Sequence, residues 1–191
     1  MGTLSLEFND PVREIIHPCP EQDIILAPGG VAMTFVWCPA GAFMMGSCET
    51  ELGHYLNETL HEEVIEEGFW IGKYPVTQEQ YNSLTGTNPS YHQAEIMLVG
   101  NNTPVHSITH TKAMNFCELM NKTLDLNGYK ALLPTSIQWE YACRAGAYDT
   151  YPKFCRAACI QGRHEFCEMS EDFYRIMYKD QGFRVVLNRV K

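Results

Sequence analysis

Long apolar runs are missing from this 191-residue chain. No window approaches the ~20 consecutive apolar residues that a membrane-spanning helix needs, so no membrane span is expected. The amino end, MGTLSLEFNDPVREII, lacks a basic start followed by an apolar run, and Leu6 breaks the myristoylation pattern. As encoded, the chain is expected in the cytoplasm. Basic residues are also few: 14 Lys and Arg stand against 23 Asp and Glu, for a formal net charge of -9. That balance offers no broad positive surface to release counterions from a nucleic-acid backbone, so nucleic acid is not an expected partner. The signatures of several enzyme classes are absent too, with no G-x-S-x-G elbow, no phosphate-binding loop and no H-E-x-x-H helix. Internal repeats and long Pro/Gly/Ser linkers are lacking, so residues 1–191 read as one domain with a lead-in over 1–30. Eight cysteines fall short of the density of a disulfide scaffold, and most are expected to be reduced thiols.

What is present is a patchwork of short β pieces and three helices with clear start signals. The lead-in carries Ile15-Ile16 and Ile24-Ile25-Leu26 between prolines and ends at Gly29-Gly30, which fits short strands. In MTFVWCPAGAFMM (33–45), β-formers flank Pro39-Ala40-Gly41, the pattern of a hairpin. An acidic loop is expected from Cys48 to Glu63, then a strand from Phe69 to Tyr74 and a last one from Phe183 to Leu187. Thr77 with Gln80, and Thr135 with Gln138, have the spacing of capping boxes that open short helices. Between them, Ala113, Cys117, Met120 and Leu124 recur at helical spacing with Phe116 beside them, as far as Asn127-Gly128. Trp139, Tyr141, Cys117 and Cys143 read as core side chains.

Few residues suggest chemistry by spacing alone. Cys155, Cys159 and Cys167, with His164 among them, match no common zinc pairing. His106 and His110 lack a third ligand and read as capping or surface residues. Glu58, Glu62, Glu63, Glu66 and Glu67 read as a solvated face without the D-x-D-x-D pattern of a calcium loop. No metal and no cofactor is expected from these patterns.

The order of several motifs is more informative than any one of them. Phe43-Met-Met-Gly46-Ser, Phe69-Trp-Ile-Gly72-Lys-Tyr-Pro-Val-Thr77, Asn88-Pro-Ser90, Pro104-Val105, Leu133-Pro-Thr135, Gln138-Trp-Glu-Tyr-Ala-Cys-Arg-Ala-Gly146 and Gly182-Phe-Arg184 follow one another. In that order the chain resembles the formylglycine-generating-enzyme, or sulfatase-modifying-factor, domain family. The resemblance implies an α+β, C-type-lectin-like fold: a mixed, mostly antiparallel sheet with two or three helices and much irregular loop. The family's enzymes oxidise a substrate cysteine to formylglycine with oxygen and a copper ion held by two cysteines near the carboxyl end.

The departures from the family's pattern lie in its active-site region. Only 35 residues (147–181) separate Gly146 from Gly182, and the family's N-V-W-E-W and R-G-G-S runs are absent from them. Tyr151-Pro-Lys-Phe-Cys155-Arg looks like the family's final cysteine-arginine piece, which would put Cys155 at the second copper cysteine. Thr150 then occupies the first. Leu132 also replaces the family's usual arginine, and Ser136-Ile137 its acidic-alanine pair.

Two functions follow from the resemblance. The first is a non-catalytic module that binds a protein or glycan ligand through the segment 148–181. Its candidate contacts are Tyr148, Tyr151, Arg156, Arg163, His164, Phe166, Tyr174, Arg175 and Tyr178, residue types that supply contact area and hydrogen bonds at interfaces. The resemblance extends to the variable proteins of diversity-generating retroelements, which display mutable residues near the carboxyl end of such a fold. The second function is a shortened copper-dependent oxidase using Cys155 with Cys159 or Cys167.

Overall fold

A computed structural model of the chain describes residues 19–27, 30–50, 54, 58–90, 102–144 and 182–190. In chain order its elements are β1 (Glu21–Ala27), β2 (Val31–Cys38), β3 (Gly41–Met45), β4 (His61–Ile65), β5 (Phe69–Gly72), α1 (Gln78–Thr85), α2 (His110–Thr123), β6 (Tyr129–Leu132), α3 (Ser136–Arg144) and β7 (Val186–Arg189). Five strands form one sheet in the order β1-β2-β5-β7-β6, and each neighbouring pair is antiparallel. The strand around Phe69 and the terminal strand are direct neighbours, with Trp70 opposite Leu187 and Ile71 opposite Val186.

Alternation along the strands divides the sheet into two faces. Met33, Phe35, Val185 and Leu187 point toward α1 and α2 and pack with Tyr81, Phe116, Cys117 and Met120. Phe116 is the centre of this layer, stacked on Tyr81 at 5.5 Å and meeting Phe183 edge-on at 5.5 Å. Trp37 and Trp70 meet edge-on across the β2–β5 pair at 5.2 Å. On the opposite face Phe69, Ile71 and Val186 pack with Ile65 of β4 and with Ile137, Tyr141 and Ala142 of α3. Burying each large apolar side chain contributes roughly 1.5–3 kcal/mol, so both layers are needed to hold the sheet.

Helices α1 and α3 start where the capping signals place them. Thr77 and Gln80 form a reciprocal capping box on α1, and Gly86 closes the helix in the left-handed conformation. Thr135 and Gln138 exchange bonds of 3.2 Å in the same way at α3. Helix α2 takes Thr109 as its cap and buries Ala113, Phe116, Cys117 and Met120. It ends at Thr123, short of the expected Asn127-Gly128, because Leu124 is already extended at the cap; Asn127 and Gly128 adopt positive φ and turn the chain into β6.

Several expectations are corrected. The strands flanking Pro39-Ala40 are not a hairpin: β2 stays in the main sheet, whereas β3 leaves it and pairs with β4. Pro39-Ala40 is thus a corner between sheets. The expected acidic loop already contains the start of β4 at His61, and a bridge between Ser47 and Thr59 precedes it. Glu58 is buried at 4% exposure, unlike Glu62, Glu66 and Glu67, which lie on the surface. His106 is buried rather than on the surface, with its Nδ1 at 3.1 Å from the Ser107 hydroxyl, while His110 is exposed. Trp139 and Cys143 are only half-buried, and the buried residue of α3 is Glu140.

Candidate functional site

All candidate contact residues, from Tyr148 and Tyr151 through Arg156, Arg163, His164, Phe166 and Tyr174 to Arg175 and Tyr178, lie outside the described residues. So do Thr150, Cys155, Cys159 and Cys167. The structure does show the two fixed ends from which that segment leaves and to which it returns.

The first end is the last turn of α3. The capping box at Thr135 sets the register of the helix, and this turns Glu140 inward beneath β3. Its Oε1 accepts the Gly46 N–H at 2.8 Å and also the Arg144 Nε and Nη2 at 3.1 and 2.6 Å. Arg144 Nη2 in turn donates to the Gly46 carbonyl at 2.6 Å. One acid–base pair therefore engages both the N–H and the carbonyl of Gly46, tying the end of α3 to the end of β3. Gly46 has φ +94°, and a Cβ there would lie 2.4 Å from the Thr59 carbonyl oxygen. Only glycine satisfies both conditions.

Next to this clamp is a second polar group. Ser47 Oγ donates to Glu58 Oε2 at 2.9 Å and lies 2.7 Å from His54 Nδ1. With the hydroxyl proton directed to the carboxylate, the imidazole donates from Nδ1. A serine nucleophile needs the reverse: its proton goes to the histidine, and the acid orients the histidine from behind. Ser47 is also buried at 2% exposure. The trio fastens the β3–β4 connection.

The second end is Gly182-Phe183-Arg184. Gly182 sits so close to Val105 that a Cβ would lie 2.9 Å from its carbonyl oxygen. Val76 N–H donates to the Phe183 carbonyl at 2.9 Å and Gly72 N–H to the Val185 carbonyl at 2.8 Å, continuing the path of β7 beyond its ladder. The Phe183 ring enters the α1/α2 layer, while the Arg184 guanidinium lies 5.3 Å over the Trp139 ring. Trp139 thereby joins the two ends, since it belongs to α3 and touches the returning strand.

Neither clamp was assigned a role from the sequence. The Glu140/Arg144 spacing of four residues is a readable signal for an intrahelical pair, but the partner Gly46 lies 94 positions away. Among the described residues, no group of three or more His, Cys, Asp or Glu side chains is arranged to hold a metal ion. Burial pushes the Cys117 thiol up to about 12, which marks it as an inert core residue. A hollow of about 270 Å³ beside α1 is lined by Gly30 and the first residues of β2, and by Thr77, Glu79, Gln80 and Asn102. Gln80 is already committed there, to the cap and to the Ala32 carbonyl.

Comparison with known proteins places this frame. The model of the sulfatase-modifying factor enzyme 1-like domain matches residues 27–179. Variable protein 1 of Treponema denticola is similar in structure, with a TM-score of 0.57 at 19% identity, over 69% of this chain and 59% of that one. PvdO from Pseudomonas aeruginosa has a TM-score of 0.53 at 23% identity, over 62% of this chain and 50% of that one. The chain thus spans between half and three-fifths of the length of these neighbours. No curated protein gives a significant match. Among the described residues no helix is long and apolar enough to cross a membrane. With an α+β, C-type-lectin-like architecture and a family match over most of its length, the chain belongs to the sulfatase-modifying factor enzyme 1-like domain family.

Proposed function

We propose that this chain is a binding module, in which residues 148–181 contact a protein or glycan ligand and the rest is the scaffold that holds them. The observation that carries this reading is the 35-residue span between Gly146 and Gly182, rich in aromatic and basic side chains and leaving from two anchored ends. A rigid frame with a variable-length insertion is how binding residues are commonly displayed. The narrower form of the proposal makes it a variable protein of a diversity-generating retroelement. The likeness in fold to Treponema denticola variable protein 1 supports that form. A near-copy of the DNA encoding residues 150–187, differing mainly at adenines and lying beside a reverse-transcriptase gene, would establish it.

Copper is the group that the family implies. Its holding site needs two thiolates, and the soft copper(I) ion discriminates strongly against a hydroxyl. Thr150 offers a hydroxyl at one of the two aligned positions, so the family's own donor pair does not fit there, and no oxidation step is derived. The test is direct. The chain is supplied with copper, oxygen and a sulfatase peptide carrying the target cysteine, and the peptide mass is followed. An unchanged peptide agrees with the binding module; an aldehyde product that disappears in Cys155→Ser overturns it.

A further inference from the structure

Cys19 and Cys38 meet at the outer end of the β1–β2 pair. The register places Glu21 opposite Val36, and one step further out Trp37 N–H donates to the Pro20 carbonyl at 2.9 Å. Pro20 and Trp37 are therefore a hydrogen-bonded pair, with only one bond because proline has no N–H to return. The alternation of an antiparallel ladder makes the next pair, Cys19 and Cys38, a non-hydrogen-bonded one. In such pairs the Cα atoms stand about 4.5 Å apart and the side chains project to one face. Disulfides span Cα separations of about 4.4–6.8 Å, so the spacing needs no backbone movement. The same face already shows a cross-strand contact, where the Thr34 hydroxyl donates to Asp23 at 2.6 Å.

The two thiols differ in access. Cys19 is exposed, whereas Cys38 is half-buried against the cluster of Ile65, Phe69, Ile71 and Val186. Burial, reinforced by the charge of Cys19 beside it, pushes the Cys38 thiol up to about 11. An outer thiol open to reagents thus stands over an inner one that reagents reach poorly.

We propose that Cys19 and Cys38 are a redox pair that closes into a reversible cross-strand disulfide, stapling the start of β1 to β2. A small-molecule disulfide such as oxidised glutathione is the oxidant. The Cys19 thiolate attacks one of its sulfurs, forming a mixed disulfide and releasing one glutathione thiolate. Cys38 then gives up its proton, and its thiolate attacks the Cys19 sulfur and expels the second glutathione. Two protein thiols become one disulfide, one glutathione disulfide becomes two thiols, and the cysteine protons end on the released glutathiones. The raised pKa of Cys38 makes the second step slow at neutral pH. Its rate should rise about tenfold per pH unit below 11 as the thiolate fraction grows.

The test uses the full chain carrying Cys48→Ser, equilibrated in oxidised or in reduced glutathione. Cleavage after glutamate cuts behind Glu14, Glu21 and Glu49, so Cys19 and Cys38 fall in the separate fragments 15–21 and 22–49. The expected result is a linked pair of these fragments after oxidation, lost on reduction. The melting temperature should rise by about 6–13 °C in the oxidised form, as closing a loop of this length predicts. In Cys19→Ser, an exposed substitution that leaves the core intact, both the link and the rise should vanish. Recovery of Cys19 and Cys38 as separate glutathione adducts or free thiols, or of Cys19 joined to a different cysteine, would overturn the proposal.

Discussion

Gly46 concentrates three demands on one residue. Its positive φ, its contact with the Thr59 carbonyl and its double bonding to Glu140 and Arg144 leave no room for a side chain. Gly46→Ala should therefore cost about 3 kcal/mol or more, from backbone strain and the collision together. Thermal melting would register this as a fall of about 6–12 °C for a chain of this size. Glu140 is the complementary case. Its carboxylate is buried and answers three donors, so Glu140→Ala removes the acceptor of the Gly46 N–H and of two Arg144 N–H groups at once. Losing one partner of a buried pair costs about 3–5 kcal/mol, and chemical denaturation should show a loss in that range. A loss below about 1 kcal/mol would contradict this role for Glu140. Neither role could be read at the residue level beforehand. A glutamate inside W-E-Y-A looks like an exposed helical position, and only the folded chain brings β3 over it. Trp139 is the converse case: the helical pattern puts its ring in the core, yet it is only half-buried and faces Arg184.

At the scale of elements, signals confined to a few residues were legible and those depending on distant partners were not. The caps at Thr77 and Thr135 lie within one turn of the helices they start, so the spacing of Thr and Gln suffices to find them. The apolar positions of α2 are legible for the same reason. By contrast, Pro39-Ala40 marks a change of direction without saying whether the chain returns to the same sheet. That choice is made by β4, which supplies the partner for β3. β6 is not legible in the sequence, because Tyr129–Leu132 is too short to show a period and gains its identity from pairing with β7. β7 itself lies between β5 and β6, and Val185, Val186 and Leu187 are fully buried. Removing residues 182–191 would leave two unpaired strand edges and expose both core layers. The truncated chain is expected to show no cooperative melting transition; a monomer that still melts cooperatively would contradict this role for β7.

For the whole molecule, the motifs that mark the family turn out to be the parts that hold the frame. Gly46 meets the Glu140/Arg144 pair, Arg184 meets Trp139, and Phe183 packs on Tyr81 and Phe116. These contacts explain why the fold is legible from motif order while the ligand is not: the motif residues serve the scaffold, and the proposed recognition falls to the segment between them. Stability and binding should therefore be separable. The measurement that tests this most directly compares the chain with its Arg156→Ala, Tyr174→Ala, Tyr178→Ala triple variant, scoring melting temperature and capture on a glycan panel and from lysate in parallel. The expected result is a melting temperature within a few degrees of the parent together with loss of the captured partner. Retained capture by a variant that melts normally would contradict the assignment of binding to residues 148–181.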